Sequence, residues 1–343
     1  MRMKILPKVL RLVTLAVLVG CSQPLLAFDV FSPLPHNAPA PADNPQTPDK
    51  IALGKQLYFD AQLSANNTIS CNTCHDVNNG GSDGRVRSVG ALGKSPRRST
   101  PTVLNAAFQS VQFRDGRAAS LEAAVTDHLL DNTVLANPSE ASLVKRISTN
   151  QRYHTSFSQV FGNENPVTVV NLSKALAAYV RTLITPDSAF DHYLKGDKKA
   201  LSRNARRGFV EFQKIGCSAC HFGSNLSGPP VPMGEGFYEL FPNYIGSKYD
   251  QKYSLVTDDL GRYEVTKEDI HKRLFQVPTL RNIGLTAPYF HTGTVPTLDE
   301  AVRVMAKTQL QQDLTDAQVK YLTAFLASLT GKPPKQAVTH LPD

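Results

Sequence analysis

Apolar side chains at helical spacing run through most of the chain. Leu172, Leu176, Tyr179 and Leu183 recur at three- and four-residue intervals, so they share one face of a helix. Val319, Leu322, Leu326 and Leu329 repeat the pattern near the C-terminus. That second helix has readable ends. Thr315 and Gln318 form a T-x-x-Q capping box, and Gly331 ahead of Pro333 and Pro334 stops it. Thr297 and Glu300 start a further helix, which carries Met305. No alternation of strand period runs far enough to predict a sheet. Pro- and Gly-rich stretches separate the helices, and the proline-rich segment 32–48 reads as an extended arm. The chain is predicted to be mostly α.

The first twenty residues depart from this pattern. Arg2, Lys4, Lys8 and Arg11 precede the apolar run "LVTLAVLVG", the layout of an export signal rather than a fold element. Two processing readings compete: "LVGC" is a lipobox that would put a lipid anchor on Cys21, and "LLA" ends an ordinary cleavage site at Ala27. Either way the mature chain is expected in the periplasm. A length of 343 residues suffices for two domains, each with its own core. An apolar content of 41%, with no second run long enough to span a membrane, predicts a soluble globular body. The net charge of +8 says little, because losing the four basic residues of the leader leaves +4. No basic stripe interleaved with aromatics is present, which argues against nucleic acid as a partner.

Five cysteines occur, and four remain once Cys21 is set aside. They form "CNTCH" (71–75) and "CSACH" (217–221). A disulfide across two intervening residues closes too little chain to be a useful staple. A redox dithiol accounts for C-x-x-C but not for the histidine that follows both copies. Zinc could take the thiolates, yet it rarely needs this repeat. Covalent haem accounts for every feature: two thiols add to two vinyl groups and the adjacent imidazole ligates the iron. Two haem c groups follow, on Cys71, Cys74 and His75 and on Cys217, Cys220 and His221. Their four propionates would offset the residual positive charge.

The chain also repeats itself. "PTVLNAAFQSVQFRDGRAASLEAAV" (101–125) aligns without a gap on "PTLRNIGLTAPYFHTGTVPTLDEAV" (278–302). Pro101 meets Pro278, Asn105 meets Asn282, Phe113 meets Phe290 and Gly116 meets Gly293. The expected architecture is two tandem cytochrome c-like domains, each with one covalently attached haem c. After the signal (1–20) come an extended arm (21–48), an N-terminal haem domain (49–185), a C-terminal haem domain (186–331) and a tail (332–343). The junction falls in "ITPDSAF" (184–190).

The second axial position of each iron decides between electron transfer and chemistry. Past the leader only Met233 and Met305 are available as thioether ligands. Met305, on a capped helix in the second half, is the first choice for the haem on Cys217 and Cys220, and Met233, in "GPPVPMGEG", ranks second. The residue that the repeat aligns with Met305 is His128, in "AAVTDHLL". It is a candidate for the distal pocket of the first haem, as ligand or as acid–base group.

Taken together, "ALGKQLYFD" (52–60), "CNTCHD", "PTVLNAAF", "DGRA", "TPDSAFDHYLKGD", "GCSACH", "PTLRNIGLTAPYFHTG" and "FLASLTGK" resemble the bacterial di-haem cytochrome c peroxidases over nearly the whole mature chain. The resemblance implies a division of labour. The second haem (His221, Met305) would accept electrons from a small donor such as a cytochrome c or a cupredoxin. The first (His75) would bind hydrogen peroxide and reduce it to water. It also implies an acid–base glutamate in an "NPxE" stretch, which falls on Glu140. A structural calcium is implied near Thr286, Pro288 and Ser99, the last replacing a family asparagine, and so is a homodimer. A related branch matures a methylamine dehydrogenase by oxidising tryptophans on a protein partner and has a tyrosine as a distal haem ligand, and Met305 favours the peroxidase branch instead.

Three departures stand out. Ala91 replaces the histidine that usually blocks the peroxidatic haem, Arg114 replaces the tryptophan between the haems, and Ala124 replaces a glutamine near the distal pocket. The segment between "DGRA" and "NPSE" is also longer than the family pattern. Losing the blocking histidine predicts a first haem that is open, or held by a different ligand, when fully oxidised. Two other functions compete with the peroxidase reading: a peroxide-driven oxidase that modifies a partner protein, and a non-enzymatic electron-transfer or sensor protein.

Overall fold

Local capping chemistry sets where the helices begin. In the computed structural model, which describes residues 30–162, 164–256 and 258–334, α1 (Pro48–Phe59) starts at Thr47, whose hydroxyl accepts from Lys50 N, with Pro48 at the first helical position. The export signal, both processing sites and residues 335–343 lie outside the described residues. The short α2 (Cys71–Cys74) follows Ser70. Then come α3 (Leu121–Leu130), α4 (Glu140–Ser148), α5 (Gln151–Phe161) and α6 (Val169–Val180), capped by Ser120, Ser139, Asn150 and Thr168. Next are α7 (Ala189–Leu194) and α8 (Arg203–Ile215), on caps Ser188 and Ser202. After α9 (Lys248–Tyr253) and α10 (Tyr263–Thr266), the chain ends in α11 (Leu298–Leu310) and α12 (Asp316–Ala327). The Thr315–Gln318 capping box forms as expected.

The described residues hold one small sheet. β1 (Tyr238–Leu240) and β2 (Leu274–Gln276) pair antiparallel with Glu239 opposite Phe275. Three residues per strand leave no alternation for a sequence pattern to reveal. Leu183 and Leu329, expected inside helices, lie just beyond them. Both are fully buried and are held by i→i+3 turns, from Leu183 N to Val180 O and from Leu329 N to Leu326 O.

Two helix pairs organise the cores. α1 packs on α6 around Leu53, Leu57, Leu172 and Leu176, and α8 packs on α12 around Phe212, Leu322, Phe325 and Leu326. A third apolar cluster, with Phe241, Tyr253, Phe275 and Val304, lies behind α11. Each pair depends on one glycine. A Cβ on Gly54 would sit 1.9 Å from Ala175 O, and one on Gly208 would sit 1.9 Å from Tyr321 O. The repeat extends to backbone geometry. Asn105 and Asn282 both take left-handed φ, at 63° and 59°, as do Phe113 and Phe290, at 67° and 69°. Asn105 N donates to Leu183 O and Asn282 N to Leu329 O. The amide groups of both asparagines reach the same hydroxyl, Thr185 Oγ1, at 2.8 and 2.9 Å.

The proline-rich arm is extended and tied down. Leu34 N donates to Asp191 Oδ1, and Gln46 and Arg181 bond the carbonyls of Ala178 and Pro39.

Gly54→Ala and Gly208→Ala should each push a helix pair apart and lower stability by about 1–3 kcal/mol or more, as overpacking does. Denaturant unfolding measures this, and an unchanged midpoint in both variants would contradict the close helix contact.

Candidate functional site

Two cavities, of about 430 and 280 Å³, open beside the two C-x-x-C-H stretches. Packed interiors leave few voids larger than a water molecule, so spaces of this size are built to hold something. The larger is lined by Cys71, Cys74, His75 and His128, with Leu121, Val125, Leu176 and Val180 among its apolar walls. The smaller is lined by Cys217, Cys220, His221 and Met305, with Phe212, Phe241, Leu298 and Leu322. Both cavities are also lined by Ser99 to Thr102 and Gln112 to Arg114, so they share that layer as a wall.

The two proximal imidazoles are held alike. His75 Nδ1 lies 3.1 Å from Pro101 O, and His221 Nδ1 lies 3.1 Å from Leu226 O. A carbonyl at Nδ1 fixes that nitrogen as the protonated one and leaves Nε2 free as a ligand. Burial pushes both imidazoles down to about 4, so both are neutral at physiological pH, the form that binds metal. Tyr58 adds a bond to His75 O at 2.7 Å.

All four cysteines of the two stretches are free. Burial pushes Cys71 and Cys217 up to about 12 and Cys220 to about 11, and it raises Cys74 as well. Redox dithiols need a depressed thiol pKa, so these are poor thioredoxin-type centres. No group of three or more His, Cys, Asp or Glu side chains is placed to hold a metal among the described residues, which leaves zinc without a four-ligand set.

The shared wall carries the clearest sign of an anionic, prosthetic occupant. Arg114 lines both cavities, and its Nε is buried with no hydrogen-bond partner among the described residues. Burial, and then the neighbouring Arg98, push its guanidinium down to about 10, still protonated at neutral pH. A buried donor left without an acceptor is costly, and a carboxylate of haem, a propionate, would supply one. Size, apolar lining, paired thiols and a tautomer-fixed imidazole make each cavity fit haem.

The remaining predicted residues fall as follows. Met305 shares the second cavity with His221, whereas Met233 is 47% exposed in its loop and lines neither cavity. Ser99, Thr286 and Pro288 all line the second cavity. Ala124 is buried in the first cavity's wall, and Ala91 is buried and does not line that cavity. The structure does not bring Glu140 to the first cavity. Glu140 is the exposed first residue of α4, whose buried face is Leu143 and Ile147. Three other carboxylates line that cavity: Asp115, Asp131 and Glu264. Arg98 binds Asp115 at 2.5 Å and Asp259 through two bonds of 2.6 Å, and Arg97 pairs with Glu264. Asp131 makes no ion pair among the described residues; its Oδ1 accepts from Thr133 N and Oγ1, both at 2.7 Å. Asp131 lies outside every motif quoted from the sequence, so no motif pointed to it.

A buried ion pair backs the second cavity. Arg281, which lines it, makes two bonds to Asp191 at 2.9 and 2.8 Å, and both side chains are 0% exposed. Burial by itself would raise the Asp191 pKa, but the Arg281 bonds, with those from Leu34 N and Ser188, hold it below the usual carboxylate range.

The model of the family "Di-haem cytochrome c peroxidase" matches residues 48–199. The chain is 38% identical over 314 residues to the cytochrome c551 peroxidase of Pseudomonas aeruginosa, covering 91% of this chain and 88% of that one. It is 32% identical over 322 residues to the methylamine utilization protein MauG of Methylorubrum extorquens, covering 90% and 86%. A solved structure, a MauG-like protein associated with microbial copper homeostasis, superposes with a TM-score of 0.77 at 26% identity, covering 89% of this chain and 95% of that one.

Asp191 contributes stability that is fully present above its unfolded pKa of about 4 and is lost as pH falls through its lower folded value. Asp191→Asn should therefore cost about 3–5 kcal/mol at pH 7, as breaking a buried pair does. The gap to the native chain should narrow below pH about 4. Unfolding curves across pH check this, and a pH-independent gap would contradict it.

Proposed function

The chain belongs to the di-haem cytochrome c peroxidase family, and from that premise we propose that it is a periplasmic cytochrome c peroxidase carrying two covalent haem c groups. One observation carries the reading: two cavities sharing a wall, each with a C-x-x-C-H imidazole fixed for ligation, but with a methionine at the second and none at the first. Cys71, Cys74 and His75 hold one haem, and Cys217, Cys220, His221 and Met305 hold the other, in domains 49–185 and 186–331. Haem iron supplies one-electron redox chemistry, plus a peroxide site where its sixth position opens.

The protein's part is positioning and proton handling. Carbonyls at the Nδ1 atoms hold both imidazoles in one tautomer. Electrons from a small cytochrome c or cupredoxin arrive at the second cavity and cross the layer of residues 99–102 and 112–114. Arg114 holds positive charge in that layer where the family usually has tryptophan. Reducing peroxide to two waters consumes two electrons and two protons, and a carboxylate must move a proton between the two oxygens. Asp131 takes this role: it lines the first cavity and both of its bonds from Thr133 fall on Oδ1, whereas Glu140 is an exposed helix start outside that cavity. A calcium ion would find oxygen donors at Thr286, Pro288 and Ser99, a set that suits Ca²⁺.

The likeness to MauG and to the MauG-like structure favours a second reading, a peroxide-driven oxidase acting on a partner protein. The higher identity to a peroxidase places it second.

Steady-state oxidation of a reduced small cytochrome c by hydrogen peroxide separates the two. Rapid turnover is expected. Peroxide consumption without cytochrome oxidation would favour the partner oxidase, and no reaction with either would overturn both. Asp131→Asn should lower kcat/KM by about 10²–10⁴, with Glu140→Gln close to the native chain. The reverse ranking would restore Glu140.

A further inference from the structure

Ala91 removes the side chain that would be expected to close the first site, and its loop is pinned away from the task. Ala91 N donates to Val134 O at 2.8 Å, Asn66 holds Ala91 O, and Ala91 does not line the cavity. A different histidine stands there. His128, on α3, lines the same cavity as His75, and the centres of the two rings are 5.9 Å apart with their planes at 83°.

The separation is informative. Metal–imidazole bonds run to about 2 Å, so two imidazoles sharing one metal have ring centres about 6 Å apart. Two rings that each contain a common bonding axis can lie at any angle about it, perpendicular included. The tautomer is right as well: His128 Nδ1 lies 3.0 Å from Ala124 O, as His75 Nδ1 lies 3.1 Å from Pro101 O. Both Nδ1 atoms are engaged with carbonyls and both Nε2 atoms remain free to ligate. Phe113 packs on the His128 ring at 5.0 Å between centroids, and the Arg117 guanidinium covers Phe113 at 3.5 Å. The imidazole is thereby held in a packed site. The internal repeat gives independent support. The alignment that pairs Asn105 with Asn282 and Phe113 with Phe290 pairs His128 with Met305, and α3 and α11 bring these two side chains into corresponding cavities.

We propose that His128 is the sixth ligand of the haem iron in the first cavity of the oxidised protein, so that the site rests closed and peroxide reaches the iron only when His128 leaves. This inference rests on haem being attached at Cys71 and Cys74. It replaces the open first site as the consequence of Ala91, and it moves the closing ligand from a loop to a helix.

The test uses the matured two-haem protein in its oxidised state. Low-temperature electron paramagnetic resonance of the native chain should show low-spin haem only. His128→Ala should convert one of the two haems to high spin while haem content stays at two per chain, and added imidazole should return that haem to low spin. Cyanide should bind the variant at least tenfold faster than the native chain. His128→Met should retain a low-spin haem and add a second methionine–iron absorption band. A high-spin haem in the oxidised native chain would overturn the proposal even if no variant matures, and so would a His128→Ala spectrum unchanged from the native one. Fewer than two haems in the native chain would instead overturn the attachment reading beneath it.

Discussion

Two imidazoles, His75 and His221, are each fixed through Nδ1 by a backbone carbonyl, and the rest of the molecule is arranged to keep them so. A ring free to flip or to change tautomer would offer a metal either nitrogen; a carbonyl at Nδ1 removes that freedom. The carbonyls themselves are held by their own segments: Pro101 O lies four residues before the left-handed Asn105, whose amide reaches Thr185 Oγ1, and Leu226 O follows Asn225, whose carbonyl accepts from Thr279 Oγ1. Burial does the rest, keeping the rings neutral and the thiols protonated. A chain built this way has two receptacles and a shared layer between them.

Duplication supplied both receptacles, and divergence made them unequal. Aligned positions carry His128 in one half and Met305 in the other, and Arg114 in one half and His291 in the other. The scaffold around these pairs is nearly superposable in its φ angles and carbonyl contacts, so the functional difference is concentrated in a few side chains. Arg114 is the most telling of them. Its buried, unpaired Nε makes little sense in a molecule without an anion at the shared wall.

Much of this was legible in the sequence because the signals were local or repeated. Capping at Thr315, the helical spacing of α6 and α12, the C-x-x-C-H stretches and the ungapped repeat all depend on neighbours in the chain. The placement of Glu140 and Asp131 was not legible. The motif "NPSE" is present, but its Glu140 is an exposed helix start, while Asp131, in no motif, lines the cavity. The buried Arg281–Asp191 and Arg98–Asp259 pairs also escaped notice, since they join residues 90 and 161 positions apart with no periodicity to mark them. Spacing within a motif predicts chemistry, while distance between motifs decides which side chain performs it.

The most direct measurement is a count of free thiols in the denatured chain after maturation with haem, by alkylation and intact mass. Occupied receptacles predict two haems added and no alkylation at Cys71, Cys74, Cys217 or Cys220. Four alkylatable thiols and an unmodified mass would contradict the haem-holding role of both cavities.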